Sequence, residues 1–200
     1  MQDLNPEQLG IPTLDLTMQA AELVEPIIKW GAIARSKPMT GTYHFYSDPG
    51  RWSALMANPH RLPAVGCSVA VEPNYPTRAG QPLAEVLALV CRKRLIARAW
   101  QDAGVRIVMD LAVDPAWREH NLLGVPRGWA SYANRCRPGY QWSIEQLRAD
   151  HDRAVEHADG NPILYAVFGG GAEAAAICDK QGWTHVPEAL HQVALGTKTK

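Results

Sequence analysis

A chain of 200 residues holds one full domain and is short for two. Its 46% hydrophobic content supports a real core and excludes wholesale disorder. Twenty Lys and Arg balance twenty Asp and Glu, which argues against a general nucleic-acid or membrane-surface binder while leaving room for a local basic patch.

The first forty residues are the least regular. Leu14-Asp15-Leu16-Thr17-Met18 leads into Ala20 to Val24, and a helix stopped or kinked at Pro26 fits the stretch. Residues 1–40 therefore read as a helical or irregular segment packed on the domain. From Thr42 onward, strands and helices alternate. Strands are expected over Thr42 to Ser47, Ala64 to Val71, Val105 to Val113, Trp129 to Asn134, Ile163 to Phe168 and Thr184 to Val186.

Between them lie a short helix near Arg51 to Met56, a long one from Pro82 to Ala103 and a short one from Pro115 to Asn121. A capping box of Ser143 and Gln146 opens a helix that ends near Ala158, and another runs from Ala172 to Lys180. The domain spans 41–190, and 191–200 reads as a flexible tail. Nothing near Met1 has a signal-peptide pattern and no apolar run approaches ~20 residues, so a soluble, cytoplasmic protein without membrane contact is expected. Cys67, Cys91, Cys136 and Cys178 are too scattered for a zinc site and read as free thiols.

Regular β-α alternation implies a mostly parallel sheet in an α/β fold. The two faces of each strand are unequal. Ile107, Met109, Leu111 and Val113 oppose Val108, Asp110, Ala112 and Asp114. Val65, Cys67, Val69 and Val71 oppose Gly66, Ser68, Ala70 and Glu72. A large apolar face against helices and a smaller, more polar face inside a curved sheet favour a TIM-barrel-like arrangement, incomplete or open because about six strands are readable where closure takes eight. A flavodoxin- or Rossmann-like open sheet is the alternative.

Most of these strands end in a carboxylate, an amide or glycine, and parallel strands gather such ends on one edge. Asp48, Glu72, Asp110 and Asp114 are the candidate catalytic residues, as acid/base groups or as oxygen ligands to a divalent cation. The alternative reading of each is a turn former or helix cap. His44, Tyr46 and Asn74 are candidate substrate contacts. Gly169, Gly170 and Gly171, between a strand and a helix, are candidates for cradling a phosphate; the competing reading is a turn that needs positive φ.

Arg92, Lys93, Arg94 and Arg98 make the long helix basic in its second half. At about 33 Å it exceeds a ~20 Å strand, so this end is expected to overshoot the sheet as a solvated end, an ion-pair network or a partner contact. Arg94 and Arg98 are the candidate docking residues. Trp100 is expected to pack inward, and His151 and His157 to be exposed.

His44-Phe45-Tyr46-Ser47-Asp48 with Arg51-Trp52, then Val71-Glu72-Pro73-Asn74, Arg94 to Trp100-Gln101, Gly104-Val105-Arg106-Ile107 and Leu123-Gly124-Val125-Pro126 together resemble a domain-of-unknown-function family, numbered 4417. The resemblance covers most of residues 10–188. It implies a phage, plasmid or other mobile-element setting and brings no established activity. The family pattern has an acidic pair after the first strand and Asp where this chain has Glu72; here Pro49 follows Asp48.

The expectation is an enzyme of a mobile element acting on a nucleoside, nucleic-acid or sugar-phosphate substrate through an acidic pocket at the strand C-termini. The rival is a non-catalytic accessory protein that binds DNA or protein through Arg94 and Arg98.

Overall fold

Parallel strands that pair in chain order, joined by crossovers of one hand, place their helices on one face and curl the sheet away from them. The computed structural model, which describes residues 5–30, 40–47, 53–136 and 141–188, is built this way. Seven parallel strands pair strictly in sequence as a curled half-barrel: β1 (Ile27–Lys29), β2 (Gly41–His44), β3 (Cys67–Val71), β4 (Arg106–Asp110), β5 (Ser131–Cys136), β6 (Leu164–Gly169) and β7 (Thr184–Val186). The connecting helices are α1 (Ser53–Ala57), α2 (Leu83–Asp102), α3 (Arg118–Asn121), α4 (Gln141–His157) and α5 (Gly171–Gln181). Among the described residues no helix is long and apolar enough to cross a membrane.

The larger apolar core lies between the sheet and the helices. Tyr43, Phe45, Ile107, Met109, Tyr132, Tyr165 and Val167 meet Ile96, Ala97 and Trp100 of α2 and Leu147 and Ala154 of α4. Trp100 packs inward as expected: its ring stacks on Phe45 with centroids 5.3 Å apart, and its indole N–H donates to the Pro59 carbonyl at 2.9 Å. A second, smaller core fills the concave face with Tyr46, Val69, Val71, Val108, Ala133, Ala166, Phe168 and Val186.

Three expectations about this frame are corrected. The stretch before β1 forms no long helix. Asp15 caps one 3-10 turn, Leu16–Met18, and the chain then runs extended, with Ala20 N–H donating to the Ile107 carbonyl at 3.0 Å. Ala20 packs into the concave core with Leu23 and Val24 beside it, and Gln19 Oε1 accepts from Ala130 N at 2.6 Å, just before β5. This segment plugs the N-terminal end of the half-barrel and leaves the C-terminal end as its mouth.

The faces of β3 are also the reverse of the simple alternation. Gly41 pairs with Cys67 but Thr42 pairs with Val69, so β3 carries one extra residue at Ser68. A bulge of this kind swaps the faces of everything beyond it. Val69 and Val71 therefore point into the concave core, while Ala70 joins the helix-side core.

The capping box is displaced as well. Helix α4 begins at Gln141, so Ser143 lies inside it, with its hydroxyl 3.5 Å from Cys136 Sγ.

Candidate functional site

Because of the bulge, Glu72 follows Val71 on the side facing α2. There its carboxylate pairs with the Arg94 guanidinium, and both side chains are fully buried. Glu72 Oε2 also accepts from the Asp110 backbone N–H at 3.2 Å. Asp110, at the end of β4, accepts from Tyr46 OH at 2.9 Å and Ala112 N at 3.1 Å on one oxygen. Its other oxygen accepts from Lys93 Nζ at 3.0 Å and Asn74 Nδ2 at 3.1 Å.

Lys93 Nζ completes its donors at the Asp110 carbonyl, 3.0 Å, and Asn121 Oδ1, 2.9 Å. Arg94 spends its remaining N–H groups on the carbonyls of Leu123 and Asn121. Two carboxylates and two cations thus neutralise one another beneath the mouth. Such a network holds strand ends in place, because each polar group finds its partner out of water.

Of the expected site residues, Glu72, Asp110 and Tyr46 do converge in one buried network, with the half-buried Asn74 at its edge on the larger hollow. The oxygens of Glu72 and Asp110 are occupied by protein donors, and among the described residues no group of three or more His, Cys, Asp or Glu is arranged to hold a metal ion. Arg94, a candidate docking residue, is wholly buried, enclosed by Glu72 and the chain at 121–124 rather than standing on a protruding helix end. Arg98 remains partly exposed in an ion pair with Asp102 at 3.0 Å. Asp48 lies outside the described residues.

Asp114 stands apart. Its carboxylate accepts from Ala116 N and Ala79 N, both at 3.0 Å, and caps the turn Pro115–Trp117. The three glycines each take a left-handed φ, +80°, +79° and +63°. The turn reading therefore accounts for all of them, and of the three only Gly169 borders a hollow described here.

Two hollows open at the mouth. The larger, about 230 Å³, lies between the ends of β3, β4 and β5 and the first turns of α4. Asn74, Thr77, Asp114, Asn134, Arg135, Gln146 and Asp150 supply its polar walls. Asp150 is buried and accepts from Asn134 Nδ2 at 2.8 Å while pairing with Arg118. Burial pushes its carboxyl above the ordinary range, against the pull of Arg118 and Asn134. The smaller hollow, about 30 Å³, is bordered by Lys29, His44, Tyr46, Arg135, Phe168, Gly169 and Glu188.

Arg135 belongs to both hollows and was missed by the sequence reading, which ended its strand at Asn134, two residues early. It pairs in register with Phe168 and follows Ala133 on the concave face. Among the described residues its guanidinium makes no hydrogen bond and no ion pair. Every other charged side chain lining the larger hollow has protein donors or an opposite charge.

No family model, curated protein or solved structure matches this chain.

The imidazoles complete the electrostatics. Burial, with the Lys29 and Arg135 charges behind it, pushes His44 down to about 3. His157, expected to be exposed, is instead buried against Tyr132 OH at 3.0 Å. Burial, then the Arg127 and Arg94 charges, lower it to about 4. An unfolded imidazole titrates near 6.5. Between that value and the native one the unfolded chain holds the extra proton, so acid favours unfolding. Lowering the pH from 7 to 5 is expected to cost about 2 kcal/mol through His44 alone, with His157 adding in the same direction. Urea midpoints at the two pH values measure it, and His44→Phe should flatten the dependence.

Proposed function

We propose that this chain binds and acts on a small anionic ligand, a phosphorylated sugar or nucleoside, at the C-terminal mouth of the half-barrel. One observation carries the reading: the Arg135 guanidinium stands half-buried between two hollows, and among the described residues no anion pairs with it. A cation left without a partner in a concave site is poised for an anion from outside, and arginine's planar fork matches phosphate and carboxylate. The neutral network beneath it contributes no net charge to compete. A cavity of about 230 Å³ falls below the ~300–1,000 Å³ of drug-sized ligand sites, which favours a mononucleotide or smaller. The position also suits the reading, since ligands of parallel α/β sheets collect at strand C-termini.

Chemistry beyond binding falls in this proposal to Asp150, a lining carboxylate that burial makes a weaker acid, rather than to the saturated Glu72 and Asp110. The mobile-element setting implied by the family resemblance remains part of the proposal.

The test is calorimetry of the whole chain against ribose 5-phosphate, nucleoside monophosphates and the corresponding nucleosides. Phosphorylated ligands should bind and their unphosphorylated forms bind at least tenfold more weakly. Arg135→Ala should remove that preference with little change in thermal midpoint, since the guanidinium has no hydrogen-bond or ion-pair partner among the described residues. Equal affinity for both forms, or an unchanged preference in Arg135→Ala, would discard the reading.

A further inference from the structure

The smaller hollow has its own cast of unsatisfied groups. Lys29 and His44 sit opposite each other in the β1–β2 register, at the C-terminal ends of both strands. Ile27 belongs to the concave core and Ile28 to the helix-side core, so alternation turns Lys29 inward. Lys29 and Arg135 have no hydrogen-bond or ion-pair partner among the described residues, although both border this hollow.

His44 is nine-tenths buried, with its ring 4.7 Å from that of Phe168 and 5.8 Å from that of Tyr46. Its Nδ1 is fully enclosed and unpartnered. Nε2 has no hydrogen-bond partner among the described residues either, and it is not one of the enclosed orphan atoms. An orphaned buried N–H is rarer than an orphaned lone pair. The neutral ring therefore carries its proton on Nε2, at the atom that retains access to the hollow. Gly169 closes one side, and a side chain there would meet the Cys136 carbonyl at 2.9 Å. Among the described residues that border it, Glu188 is the one carboxylate.

We propose that this hollow is a phosphoryl subsite, in which Lys29, Arg135 and the Nε2–H of His44 hold the phosphate of a monoester whose remaining part occupies the larger hollow. This rests on the function proposed above and names its ligand more narrowly. Size agrees: about 30 Å³ is two to three times the ~10–15 Å³ that one water needs, enough for a phosphoryl group and too little for a base or sugar. Charge agrees as well, with two cations and a neutral donor facing one carboxylate. Arg135, common to both hollows, places the phosphate at one end of the ligand.

The experiment titrates inorganic phosphate into the full chain, followed by calorimetry and by 15N resonances of the His44 ring. Phosphate should bind, and the Nε2 resonance should move with the same affinity. Lys29→Ala should weaken phosphate binding by about 10- to 100-fold, the loss of one charge-assisted hydrogen bond. Arg98→Ala should leave it unchanged.

If Lys29→Ala binds phosphate like the unaltered chain while Arg135→Ala does not, the phosphoryl subsite is refuted and Arg135 still serves the larger hollow. A His44 ring that does not respond to saturating phosphate refutes it equally, and needs no variant to fold. Failure of every phosphorylated ligand to bind removes both proposals together.

Discussion

Glu72→Ala is expected to lower the unfolding free energy by about 3–5 kcal/mol at neutral pH, the range for stripping one partner from a buried ion pair. Arg94 cannot follow the change by moving into water. It is fully buried, and its other donors are tied to the Leu123 and Asn121 carbonyls, which are neutral and leave its charge uncompensated. The same substitution removes the acceptor for Asp110 N–H. Urea denaturation at constant slope reads the effect as a lower midpoint.

Arg98→Ala is the matched control, since its pair with Asp102 is exposed and about 0–1 kcal/mol is expected. A double variant, Glu72→Met with Arg94→Met, should lose less than the sum of the two singles, because neither leaves an orphaned charge behind. A single Glu72→Ala variant within about 1 kcal/mol of the parent would mean that the network is not a structural brace.

The alternation in β4 was legible because nothing interrupts it. Ile107 and Met109 do meet helices and Val108 does face inward, while Asp110 at the strand end reaches both Tyr46 of the concave core and Lys93 of α2. The same reasoning fails in β3 because a period of two carries no mark of an inserted residue. Ser68 shifts the register, and every later side chain changes face. That shift takes Glu72 out of the mouth and delivers it to Arg94.

The helix azimuth held a usable sign. Arg94 shares the stripe of Leu83, Leu87 and Val90, which is where a buried side chain belongs. Length overruled it, since a helix longer than its strand was expected to protrude. The structure covers the excess: Trp100 bonds to Pro59, and Gln101 exchanges two hydrogen bonds with Asp15, at 2.8 and 2.9 Å. Such coverage is a long-range event, invisible in a window of sequence.

β1 escaped notice because three residues after a proline give too little pattern to count. With it went Lys29, half of the pair of unsatisfied cations at the mouth. The two hollows do open at the strand ends. Of the carboxylates there, Glu72 and Asp110 sit in the buried ion-pair network and Asp114 caps a turn, while Lys29 and Arg135, which have no partner among the described residues, are cationic.

Gly170→Ala tests why three glycines follow β6. If they served mainly to bare backbone N–H groups for a phosphate, the first effect of added methyls would be on binding. Geometry predicts a stability effect instead, and an uneven one. A Cβ on Gly170 would lie 2.5 Å from Ala174 Cβ, 2.6 Å from Cys136 Sγ and 2.7 Å from Cys136 Cβ, none of them the tip of a flexible chain. Gly170 is the N-terminal cap of α5, held at φ +79°. The left-handed conformation alone costs ~1–2 kcal/mol without glycine, and overpacking a filled site adds ~1–3 kcal/mol.

A loss of about 3 kcal/mol or more is expected for Gly170→Ala. Gly171→Ala, where the added methyl meets nothing within 4 Å, should lose only the backbone part, ~1–2 kcal/mol. Thermal or urea unfolding of the two variants side by side reads the difference. If both lose the same small amount, contact between α5 and the end of β5 does not constrain this turn. If Gly170→Ala keeps its stability but loses affinity for phosphate, the glycines belong to the ligand after all.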